Sequence, residues 1–120
     1  MILTRSMDVV GRLLVAALFL LAALNKFVNT PAVLAHMDGH HVPEYFLPLV
    51  IALEICAGLA VLIGWQVRWA ALTLASFCIA TAVLFHMDFT QAVERTMFTK
   101  DLAIAGGLLI LASSRFAAAK

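Results

Sequence analysis

At 120 residues and a net charge of +1, the chain has room for one compact unit and lacks the basic field that nucleic-acid binding requires. Hydrophobic residues make up 64% and charged residues 12%, with a mean hydropathy of +1.04. A soluble domain lies nearer half apolar and a quarter charged, so the composition is that of an integral membrane protein. Cys56 and Cys78 stand alone in apolar runs, without CxxC or disulfide spacing, and read as small packing residues.

The first apolar run, about residues 8–28, opens on Asp8 and Arg12 and closes on Asn25-Lys26. Its early charges and the lack of a small-x-small cleavage site argue against a signal peptide, so it is expected to remain as span one. Thr30-Pro31 then signals a helix start, with Thr30 as N-cap, and Gly39 a stop. The short helix between them, Pro31–Asp38, carries Val33, Leu34 and Met37 on one face and is expected to lie along the membrane surface.

Span two is predicted over about 47–64 and span three over about 67–86. Trp65 and Trp69 flank Arg68 at their junction, as residues of a membrane interface do. A polar connection, Met87–Phe98, leads to span four over about 99–114, a short span whose helix can begin a turn earlier. The fold class is therefore all-α: one domain over 1–120, an integral membrane four-helix bundle. Arg5, Arg12, Arg68, Arg115 and Lys120 fall on one side, so the positive-inside rule places both termini in the cytoplasm.

Glu54 is the residue that asks for a function, because a carboxylate inside a span is expensive and needs a partner. Span order puts it in the same outer half as Asn25, Lys26, His86, Lys100 and Asp101. It shares a face with Gly58 and Val61; His86 shares one with Ala71, Ala75, Cys78 and Ala82; Lys100 shares one with Ala103 and Gly107. Small residues of this kind permit close helix approach in lipid. Helix dipoles favour Lys26 and His86 at C-termini and Asp101 at an N-terminus, whereas Lys100 needs an anion there. The expected arrangement is a Glu54–Lys26 or Glu54–Lys100 ion pair, completed by Asn25 and His86.

His36, His40 and His41 with Asp38 raise a metal reading, but a loop without a fixed frame more often leaves histidines solvated, and no metal is expected. Haem would need a second axial ligand facing His86 at its depth.

The ordered set Asn25-Lys26, Leu53-Glu54 through Gly58 to Gly64, Val67-Arg68-Trp69, Ala82 to His86, and Phe98-Thr99-Lys100-Asp101-Leu102 with Gly106-Gly107 resembles the DoxX family. The resemblance covers nearly the whole chain and implies a multi-pass protein of the bacterial inner membrane. It also implies a link to membrane oxidoreductase systems, among them thiosulfate:quinone oxidoreductase. Lys26, Glu54, His86 and Lys100 match the family's polar positions, whereas Asp101 stands where members often carry asparagine.

Two functions follow. In the first, the chain is a membrane component of an oxidoreductase system that binds a quinone or similar small molecule at the outward polar cluster. Its partners are then the lipid bilayer and an oxidoreductase subunit or a second copy of the chain, and it encodes no cofactor site of its own. In the second, it is a non-enzymatic assembly or scaffold subunit whose buried ion pair fixes helix packing. A transporter is weaker, because no repeat or broken helix is visible.

Overall fold

The computed structural model describes residues 1–119. Among them lie five helices and no strand: α1 (Ile2–Val28), α2 (Thr30–Gly39), α3 (Phe46–Ile63), α4 (Val67–Phe85) and α5 (Ala92–Ala118). All but α2 are long and apolar enough to cross a membrane. Leu14, Leu21, Ile63 and Ile110 remain largely exposed, as lipid-facing residues must.

The chain divides into two compact units, Met1–Gln66 and the part that begins at Val67. In the first, α3 packs antiparallel along α1, with α2 against α1. Gly58 permits this approach. A Cβ built there would lie 3.2 Å from Leu20 Cδ2 and 3.7 Å from Phe19 Cβ. Arg12 closes the far end: its Nε donates to Asp8 at 2.9 Å, and its Nη1 to the carbonyls of Val61 and Leu62, each at 3.0 Å. A cation thus sits on the last carbonyls of α3, where the helix dipole favours it. The sequence places Arg12 only at the start of span one, among the basic residues of one membrane side.

In the second unit α4 packs along α5. The stripe Ala71, Ala75, Cys78 and Ala82 is buried, as its spacing predicts. At one end of this unit the Arg68 guanidinium lies 5.8 Å from the Trp69 ring and 5.3 Å from Phe116, and the two rings meet edge-on at 5.1 Å.

The helix starts depart most from the sequence reading in three places. First, α1 starts six residues before Asp8, because nothing between Ile2 and Met7 breaks a helix. Second, α5 starts at Ala92, seven residues before the predicted span four. Ala92, Val93, Glu94 and Arg95 tolerate helix well, and Glu94 suits its first turn electrostatically. The connection shrinks to His86–Gln91, so most of the predicted loop is helical.

Third, Thr30 is not the N-cap of α2. Its hydroxyl bonds back to the carbonyls of Lys26 and Phe27 at 3.0 and 2.8 Å, sealing the end of α1. Asn29 takes the cap position, and Gly39 is the last residue of the helix. The face predicted for α2 is the one that packs: Met37 is buried and Val33 and Leu34 are half-buried.

Gly64 ends α3 at φ 83°, with Arg12 Nη1 only 3.2 Å from where a Cβ would stand. Its amide bonds to Ala60 O at 3.0 Å, the left-handed cap that glycine makes without strain. Gly64→Ala is expected to lower stability by about 1 kcal/mol. Gly11→Ala, where nothing lies within 4 Å, should be neutral or stabilising. Thermal unfolding in detergent checks both, and equal effects at the two positions would contradict the cap.

Candidate functional site

Glu54 lies two turns into α3 and is 1% exposed. Lys26 occupies the last turn of α1, and its Nζ meets Glu54 Oε1 at 2.8 Å. Between the two lysines that the sequence left open, the structure pairs Glu54 with Lys26. The pairing follows from the packing of α1 on α3, since Gly58, one turn beyond Glu54, lets the helices approach. The Lys26 side chain is 24% exposed, so the ion pair is sealed on the carboxylate side and open on the ammonium side. Asn25 is not part of it: this residue is exposed and its Oδ1 accepts from Asn29 Nδ2 at 2.7 Å.

His86, Glu94 and Asp101 form a second cluster, within the α4–α5 unit. His86 follows the end of α4, its amide still bonded to Ala82 O. Its Nδ1 lies 3.0 Å from Glu94 Oε2, a hydrogen bond, and its Nε2 lies 3.7 Å from Asp101 Oδ2. The second distance is an ion-pair separation, too long for a hydrogen bond. Glu94 and Asp101 are seven residues apart on one helix and so share a face, which continues through the buried Ala105, Leu108 and Ala112.

Lys100 belongs to the opposite face. Together with Ala103 and Gly107 it is exposed, so the stripe predicted for span four is not the packed one. It makes no ion pair among the described residues. With Ala92, Arg95, Thr96 and Thr99 it lines an open groove of about 360 Å³.

The sequence missed Glu94, which it left in a loop. The signal was present in the seven-residue interval to Asp101, but it becomes visible only once 92–98 is read as helix. Chemically, one imidazole between two carboxylates can take up, hold and pass a proton, and all three side chains keep some exposure.

Around α2, the His36 and His40 rings stand 4.6 Å apart, with His40 Nδ1 3.0 Å from the His36 carbonyl. No group of three or more His, Cys, Asp or Glu side chains is arranged to hold a metal ion among the described residues.

The fold and these two clusters define a multi-pass α-helical membrane protein with ionisable groups packed among its spans. The sequence model of the DoxX family matches residues 7–87, which contain most of α1 and all of α2, α3 and α4. The chain is 43% identical over 103 residues to "Inner membrane protein YqjF" of Escherichia coli (strain K12), covering 86% of this chain and 79% of that protein. No solved structure matches. The chain belongs to the DoxX family.

Two predictions follow from these clusters. Lys26→Ala leaves a buried carboxylate without a counter-charge and is expected to destabilise the protein by about 3 kcal/mol. The Lys26→Leu/Glu54→Leu double variant should recover most of that loss. A double-mutant cycle read by unfolding in detergent checks this, and additive losses would contradict the pairing.

The second concerns Asp88, in the turn that carries His86 toward Glu94. The Thr90 hydroxyl donates to its Oδ1 at 2.5 Å and the Thr90 amide at 3.3 Å, while Gln91 Nε2 donates to Oδ2 at 3.2 Å. The Thr90 bonds hold the Asp88 carboxyl below its ordinary range. A carboxyl depressed in the folded chain stabilises it above the unfolded value and loses that contribution as pH falls through the folded value. Acidification should therefore loosen this turn, and Thr90→Val should move the Asp88 titration upward. Carbon-13 carboxyl NMR reads the midpoint, and an unmoved one would contradict the hydrogen-bond account.

Proposed function

We propose that this DoxX-family protein is a membrane component of an oxidoreductase system and binds a quinone, or a small molecule with similar carbonyl groups. The observation that carries the reading is the His86 imidazole, hydrogen-bonded to Glu94 and faced by Asp101, in a membrane-spanning hairpin. Reducing a quinone to a quinol takes two electrons and two protons. A carbonyl oxygen beside His86 would accept a hydrogen bond, and the two carboxylates would resupply the imidazole with protons. The chain encodes no CxxC pair or nucleotide-binding glycine motif, so the electrons come from a partner subunit. The inner membrane is the compartment, as in the name of the relative from Escherichia coli, and the placement of Arg5, Arg12, Arg68 and Arg115 supports cytoplasmic termini.

A second reading has its own support. The Lys26–Glu54 pair lies inside one hairpin with its carboxylate sealed, which suits a fixed helix register better than exchange with a substrate. On that reading the protein is a scaffold for partner subunits.

The two readings separate on binding of a short-tailed ubiquinone analogue to the detergent-purified protein. The first expects saturable binding that His86→Asn weakens by about tenfold, the loss of one hydrogen bond to a polar partner, while thermal stability changes little. Absence of saturable binding, or binding unchanged in His86→Asn, would overturn it in favour of the scaffold.

A further inference from the structure

Charge is sorted around the first turns of α5. Glu94 and Asp101 turn their carboxylates to His86 on the packed face, and Arg95 and Lys100 stand on the exposed face. There, with Ala92, Thr96 and Thr99, they line the open groove of about 360 Å³. These positions recur at helical spacing, so the groove runs along one side of the helix. Arg95 Nη1 donates to the Phe89 carbonyl at 2.6 Å, which orients its planar fork before any ligand arrives. The Thr96 and Thr99 hydroxyls bond back to Ala92 O and Arg95 O, so they shape the groove while the two cations give it its charge. Asp88, in the preceding turn, has its carboxylate held by Thr90 and Gln91.

Depth identifies the occupant. Arg95 and Arg115 are separated by about 30 Å at 1.5 Å per residue, the thickness of the hydrocarbon core. Phe116, packed edge-on to Trp69 beside Arg68, marks the Arg115 end as a membrane interface. Arg95 therefore stands at the opposite headgroup boundary. Lys100 lies about 7.5 Å deeper and can extend its ammonium up toward that boundary. Val93 and Met97 are exposed apolar side chains on the same two turns. We propose that this groove on α5, with Arg95 and Lys100 as its cations, binds the phosphate of an anionic phospholipid headgroup. The site does not depend on the quinone reading.

The test uses the full chain reconstituted in phosphatidylcholine membranes with and without phosphatidylglycerol, with retained lipid read by native mass spectrometry. Wild type is expected to retain phosphatidylglycerol over phosphatidylcholine. Arg95→Ala/Lys100→Ala should reduce that retention by about tenfold or more, and Arg95→Lys/Lys100→Arg should preserve it. Excess inorganic phosphate should not displace the lipid. Equal retention of the two lipids, retention unchanged in the alanine variant, or displacement by inorganic phosphate would overturn the proposal, the last pointing to a free-anion site. Should the alanine variant fail to fold, wild type in rising salt decides. Loss of the phosphatidylglycerol adduct supports the groove, and salt-insensitive retention contradicts it.

Discussion

A carboxylate with 1% exposure inside a membrane-length helix has to meet a positive charge, and Glu54 meets Lys26 at 2.8 Å. Leaving it unpaired would cost several kcal/mol, a large share of what holds a small protein together. That requirement fixes the register of α1 against α3. Sliding one helix past the other by a turn, about 5.4 Å, would break the pair. It would also move Gly58 away from Leu20 and lift Arg12 off the carbonyls of Val61 and Leu62. The three contacts run along the hairpin from one end to the other and support the same alignment.

The second cluster differs in kind. His86, Glu94 and Asp101 retain 14%, 21% and 23% side-chain exposure, against 2% for the Glu54 side chain. A sealed ion pair is suited to holding helices in place. An imidazole that keeps contact with its surroundings and has an acid on each nitrogen is suited to moving protons. For this reason the proposed chemistry is assigned to His86, and the positioning role to Lys26 and Glu54. Lys100, on the exposed face of α5, takes part in neither cluster.

Much of this was legible in the sequence because the signals were strong. Four long apolar runs permit little but membrane helices, and a lone glutamate in one of them announces a buried pair. The choice between Lys26 and Lys100 was not legible, because it depends on which helices pack together, and apolar runs rich in alanine and leucine leave several pairings open. The start of α5 is not legible because Glu94 and Arg95 interrupt the apolar pattern there, and hydropathy marks where a helix enters lipid, not where it begins. The face of α5 was misread for a related reason. The need of Lys100 for an anion predicts an inward position, yet the line Asp101, Ala105, Leu108 and Ala112 is the one that packs. Without that face, Glu94 could not be placed beside His86.

Lys26 supplies the counter-charge for Glu54. Solid-state NMR of the protein in bilayers, labelled with nitrogen-15 at lysine Nζ and carbon-13 at glutamate Cδ, measures it directly through their dipolar coupling. A strong coupling at Glu54 that disappears in Lys26→Arg and persists in Lys100→Arg is the predicted result. A coupling that follows Lys100, or none at Glu54, would contradict the account.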